Sequence, residues 1–126
     1  MRNRRIALMV ASVVLLAACS GDPRSETALL ARAEAYNQAV INIDAATVIA
    51  MSDCESNEAR IQEALVFLSS IGMGEVLQNV TFEVEAIDDD TAIVLMQFAE
   101  ENGVVVEETQ ERWVFTDGQW KTGACL

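Results

Sequence analysis

Val80-Thr81-Phe82-Glu83-Val84-Glu85-Ala86 alternates apolar and polar residues one by one. A period of two puts Val80, Phe82, Val84 and Ala86 on one face of a strand and Thr81, Glu83 and Glu85 on the other, so the strand has one buried and one wet face. Up to Gly74 the apolar residues recur at helical spacing; beyond it they recur at strand spacing. The change of period divides the chain into a helix-rich first part and a strand-rich second part, which predicts an α+β domain.

Downstream, Asp88-Asp89-Asp90 reads as a turn, and Thr91 to Ala99 as a second strand. Ile93 and Leu95 lie on one side of it and Val94, Met96 and Phe98 on the other, so both faces are apolar and the strand is expected at the centre of the sheet. Glu101-Asn102-Gly103 is the next turn, Val104 to Thr116 a long third strand, and Gln119 to Cys125 a fourth. Between these last two, Asp117-Gly118 is the strongest short hairpin signal in the chain. On the third strand Glu107, Thr109, Glu111, Trp113 and Phe115 share one face if the pairing is regular; a bulge would change the parity. Should that face line a pocket, Glu107, Thr109 and Glu111 are its polar groups. The alternative is a solvated face.

Upstream, Leu29, Ala33, Tyr36 and Val40 form one stripe of a helix running from Thr27 or Ala28 to about Asn42, with Ser25 or Thr27 available as its cap. Asp44 reads as the N-cap of a short helix from Ala45 to about Met51, facing the core with Val48 and Ile49. A third helix spans about Glu58 to Ile71 around Ile61, Leu65 and Leu68, and Gly72 and Gly74 end it. The expected fold is therefore three helices packed on one face of a curved, four-stranded antiparallel sheet.

The amino end carries an address. Arg2, Arg4 and Arg5 precede an apolar run from Ile6 to Ala18 that is too short for a permanent membrane span and suited to a signal sequence. Leu16-Ala17-Ala18-Cys19 resembles a lipobox, which implies cleavage before Cys19 and diacylation of its thiol; an ordinary secretory signal containing a cysteine is the alternative. The expected organisation is a signal peptide over 1–18, a lipidated tether over 19–26 and one domain over 27–126. Lipidation of Cys19 leaves two of the three cysteines, Cys54 and Cys125, as a pair. In an oxidising envelope these are expected to bridge, the alternative being two separate buried thiols.

Removing residues 1–18 leaves 108 of the 126, enough for one modest core. Five basic residues then stand against twenty acidic ones, a net charge of −15. Such a surface repels phosphate backbones and anionic headgroups, which excludes nucleic-acid partners and leaves acyl chains as the means of membrane attachment. Histidine is absent. The commonest general base and metal ligand is therefore missing, and acid–base chemistry would rest on carboxylates, Tyr36 or Lys121. The Asp88–Asp90 run lacks the spacing of a calcium loop. Neither a metal nor a cofactor is expected.

Ala35-Tyr36-Asn37-Gln38-Ala39 leading to Asp44-Ala45-Ala46, and Arg112-Trp113-Val114-Phe115-Thr116-Asp117-Gly118-Gln119-Trp120-Lys121 at the closing hairpin, resemble the nuclear-transport-factor-two-like superfamily, also called SnoaL-like or cystatin-like. The chain is also similar to small actinobacterial lipoproteins of this type, in which a cysteine after the second helix pairs with one near the carboxyl end. The resemblance implies a cone with a pocket between helices and sheet, and homodimers through the open sheet face. Its members include isomerases, dehydratases and non-catalytic binders, so the fold does not select a function. In ketosteroid-isomerase-like relatives an aspartate base works with a tyrosine and a protonated acid, and Tyr36 and Asp44 are weighed against that pattern. Tyr36 sits on an apolar stripe and Asp44 at a helix start, so packing and capping are the competing roles.

No complete catalytic set results. The first expectation is a lipid-anchored extracytoplasmic domain that binds a small apolar ligand or an envelope protein, with Tyr36, Glu107, Thr109, Glu111 and Trp113 as candidate pocket residues. The second is a small isomerase or dehydratase using carboxylate chemistry, which requires a buried carboxylate of raised pKa beside a pocket and near Tyr36.

Overall fold

A computed structural model describes residues 21–99 and 105–126; the signal sequence, Cys19 and the Glu101-Asn102-Gly103 turn lie outside the described residues. The first helix, α1 (Glu26–Ile41), begins where Ser25, in extended backbone, accepts a hydrogen bond from the Ala28 N–H at 3.1 Å. Glu26 adds a negative charge to the first turn, where the helix dipole favours it. Asp44 caps α2 (Ala45–Ala50), its carboxylate accepting from the Thr47 N–H at 3.2 Å and the Thr47 hydroxyl at 2.7 Å. Asn57 caps α3 (Glu58–Ser70) by accepting from the N–H groups of Ala59 and Arg60.

Gly72 ends α3 by turning left-handed, with φ of 85°. The chain then restarts as a fourth helix, α4 (Met73–Gln78), with Gly74 inside it. The sequence reading placed no helix here, because Gly74 is a poor helix former and six residues show no period. A long-range bond holds it: the buried Asn37 amide donates to the Leu77 carbonyl at 2.9 Å.

Four antiparallel strands follow in meander order, β1 (Val80–Asp88), β2 (Thr91–Ala99), β3 (Val105–Thr116) and β4 (Gln119–Thr122). Asp117 and Gly118 both have positive φ, 54° and 80°, as a twist-matched two-residue hairpin requires. A bulge lies between Val84 and Ala86 on β1. It corrects the expected alternation: Val84 pairs with the inward Val94, whereas Ala86 pairs with the outward Ile93 and is exposed. One extra residue in a strand flips every side chain beyond it.

The fourth strand stops at Thr122, short of the expected Cys125. There the segment after α2 closes over its end. The Thr122 N–H donates to the Met51 carbonyl at 2.9 Å, and the Asp53 N–H to the Thr122 carbonyl at 2.8 Å. Gly123 passes so close to β3 that a Cβ would stand 3.2 Å from the Arg112 carbonyl oxygen, and its N–H donates to that same oxygen at 2.8 Å.

The core has two parts. Leu29 and Ala33 of α1 pack on Ala92, Val94, Trp113 and Trp120 of the sheet, while Ala39, Ala45, Val48, Ile61 and Leu65 join the first three helices. Tyr36 touches both parts. Both indole N–H groups are buried without a hydrogen-bond partner among the described residues, a cost the aromatic burial must offset.

Candidate functional site

A cavity of about 300 Å³ opens between the helices and the inner face of the sheet. Tyr36, Asn37 and Val40 of α1 form one wall, Leu68 of α3 and Met73 and Leu77 of α4 another. Met96 and Phe98 of β2 and Glu111 of β3 make the floor. Ala124, Cys125 and Leu126 close the remaining side. The volume lies at the small end of the range for ligand pockets, and the lining is mostly hydrocarbon and thioether. A larger groove of about 640 Å³ runs along the outer side of α1 and β1, past Glu34, Gln38, Gln78 and Thr81. Its lining is much more polar than that of the smaller cavity, which suits an apolar ligand less well.

Glu111 gives the cavity its chemistry. Burial raises its carboxyl above the usual carboxylate range, because charge is costly where water is excluded. The Tyr36 hydroxyl is also raised, first by its own burial; the Ser52 side chain opposes this, and the Glu111 charge reinforces it. Phenol and carboxyl therefore sense each other across one cavity. Together they offer a ligand a carboxyl of raised pKa beside a phenol that both donates and accepts. Such a pair can hold a single oxygen of an otherwise apolar molecule. It can also pass a proton.

The other candidate residues fall elsewhere. From Glu107 to Val114 the pairing of β3 with β2 is regular, so Glu107, Thr109, Glu111 and Trp113 do share the inner face. Glu107 and Thr109 are exposed and do not line the cavity. Trp113 is buried in the core, edge-on to Tyr36. Asp44 is fully exposed, and its hydrogen bonds from Thr47 hold its pKa below the usual value. It is a cap. Asn37, Leu68, Met73 and Leu77 were not singled out as site residues from the sequence. Of these, Leu68 is legible as a buried position of its helix, and Asn37 falls within the segment that carries the family resemblance.

Cys54 and Cys125 are bridged, with Cα atoms 6.0 Å apart, and Cys125 faces the cavity. At the opposite end of the sheet, Arg24 is pinned by hydrogen bonding to Asp90, lies 3.5 Å from the Asp89 carboxylate, and stacks 4.2 Å from the centroid of Phe115. Arg24, within the expected tether, thus contacts the sheet, and the last tether residue, Glu26, already belongs to α1. Among the described residues no cluster of acidic or cysteine side chains could hold a metal ion, and no helix is long and apolar enough to cross a membrane.

Helices laid across a curled antiparallel sheet, with a cavity between the layers, define an NTF2-like fold. A crystal structure from Campylobacter jejuni, of a protein provisionally named an NTF2-like transpeptidase, superposes with a TM-score of 0.51 at 14% identity. The match covers 80% of this chain and 100% of that one. At that identity the likeness establishes the fold alone. No family model matches the chain, and no curated protein matches it.

Proposed function

We propose that this domain binds a small, largely apolar molecule in the cavity beneath α1 and α4, with Glu111 and Tyr36 holding its one polar atom. The observation that carries the reading is the apolar cavity around a single half-buried carboxyl. Lipidation at Cys19 fits the reading by holding the domain on the extracytoplasmic face of the cell membrane. Four residues lie between Cys19 and Arg24, so the five steps reach roughly 17 Å when extended. Native mass spectrometry of the delipidated protein, followed by a thermal-shift screen of envelope lipids and small metabolites, tests the ligand. A co-purifying or stabilising apolar compound supports the reading; none across the screen rejects it. Crosslinking in membranes tests for an envelope protein partner, and light scattering at micromolar concentration tests for a homodimer.

The raised Glu111 carboxyl beside Tyr36 favours a second reading, a small isomerase or dehydratase using carboxylate chemistry. A group poised nearer neutrality can take and return a proton, which an ordinary exposed glutamate does poorly. The two readings separate once a ligand is in hand. Conversion by the wild type that Glu111→Gln abolishes identifies an enzyme. A ligand recovered unchanged from both identifies a binder.

A further inference from the structure

We propose that the Cys54–Cys125 bridge is a redox latch on the cavity, its reduction freeing residues 124–126 and opening the wall they form. The inference rests on the ligand-binding reading of that cavity. Ala124, Cys125 and Leu126 line the cavity yet belong to no strand or helix. The Gly123 N–H is fixed to the Arg112 carbonyl at 2.8 Å, and the Ala124 N–H reaches the Thr122 hydroxyl at 3.1 Å. Beyond Ala124, among the described residues, no backbone hydrogen bond holds Cys125 or Leu126 to the rest of the fold, and the bridge to Cys54 is their tie. Leu126, the apolar end of the wall, is 50% exposed.

The surrounding structure does not depend on the latch in the same way. β4 is held at Thr122 by backbone bonds to Met51 and Asp53 on one side and by its pairing with β3 on the other. Reduction therefore releases the wall while the strand behind it keeps its partners. Cys125 is exposed and Cys54 half-buried, so the bridge is open to a reductant. A dithiol supplies the chemistry. Its thiolate attacks the Cys125 sulfur, the Cys54 sulfur leaves as a thiolate and takes up a proton, and the second thiol of the reductant then displaces Cys125. The protein ends with two thiols and the reductant with one disulfide.

The test titrates the neutral fluorophore N-phenylnaphthylamine into oxidised and dithiol-reduced protein, with near-ultraviolet circular dichroism reporting the fold. We expect the oxidised form to bind at one saturable site and the reduced, folded form at least tenfold more weakly. A second variant, Leu126→Ala, keeps the bridge and shaves the wall, and is expected to weaken binding severalfold. Equal affinity of the oxidised and the folded reduced forms overturns the latch and leaves the cavity reading standing. Should reduction unfold the protein, unchanged affinity in Leu126→Ala overturns the latch. Absence of binding by the oxidised wild type instead overturns the cavity reading itself.

Discussion

The Tyr36 ring stands edge-on to the Trp113 ring, with centroids 6.1 Å apart and planes at 85°. This contact joins the helix-side and sheet-side parts of the core, and it places the Tyr36 hydroxyl toward Glu111 and Ser52. Packing and polar roles therefore reside in different parts of one residue. Tyr36→Ala is expected to lose about 3 kcal/mol, typical of removing an aromatic ring from a core. Tyr36→Phe keeps the ring and is expected to cost no more than about 1 kcal/mol, the net worth of one hydrogen bond. Urea denaturation of both variants checks the difference.

Glu111 sets a pH dependence whose direction follows from its raised carboxyl. The folded state holds the proton more tightly than the unfolded chain does. The stability this group contributes is therefore fully present below the unfolded carboxyl's ordinary pKa and is lost as pH rises through the folded value. Glu111→Gln should flatten that part of the stability profile and be more stable than the wild type near neutrality. Denaturation midpoints measured from acid to neutral pH check it; an unchanged slope would exclude a buried, ionisable Glu111.

Tyr36 is the sole tyrosine of the chain, so its ionisation can be followed without interference. Burial and the Glu111 charge both raise its pKa. Glu111→Gln removes the second cause, and the phenolate absorbance should then develop at lower pH than in the wild type. An identical titration in the two proteins would show that the groups do not sense each other.

The Cys54–Cys125 bridge closes a loop with a sequence separation of 71. In the chain-entropy picture a link of that length stabilises by roughly 4 kcal/mol. Loss of the bridge in Cys54→Ser with Cys125→Ser should shift the urea midpoint accordingly, and added dithiol should leave this variant unaffected.

Arg24 ties the start of the domain to the β1–β2 turn through Asp89 and Asp90 and over Phe115. These contacts are exposed, so Arg24→Ala is expected to cost only about 1 kcal/mol, less at high salt. Thermal unfolding at low and high ionic strength measures both quantities.

Where local chemistry decides structure, the sequence is a good guide. Ser25 and Asp44 cap the helices they precede, and Asp117-Gly118 makes its hairpin, because each acts within two or three residues of itself. The features missed depend on distant partners. α4 exists against Asn37, forty residues away, and nothing within Met73–Gln78 announces it. The β1 bulge turns Ala86 outward through a register set by β2. The site shows the same division. Strand parity places Glu107, Thr109 and Glu111 on one face, yet only Glu111 lies beneath the enclosing side chains of Tyr36, Leu77 and Leu126. Depth along a strand is set by what covers it, and that cover comes from α1, α4 and residues 124–126 together.

The central claim is that the space under α1 and α4 is a ligand cavity. Calorimetric titration of the compound recovered by native mass spectrometry, into the wild type and into Val40→Phe, tests it most directly, because a larger side chain at this half-buried position fills the cavity from one wall. The account predicts one-to-one binding by the wild type and at least tenfold weaker binding by a folded Val40→Phe. Equal binding by the two proteins would contradict it.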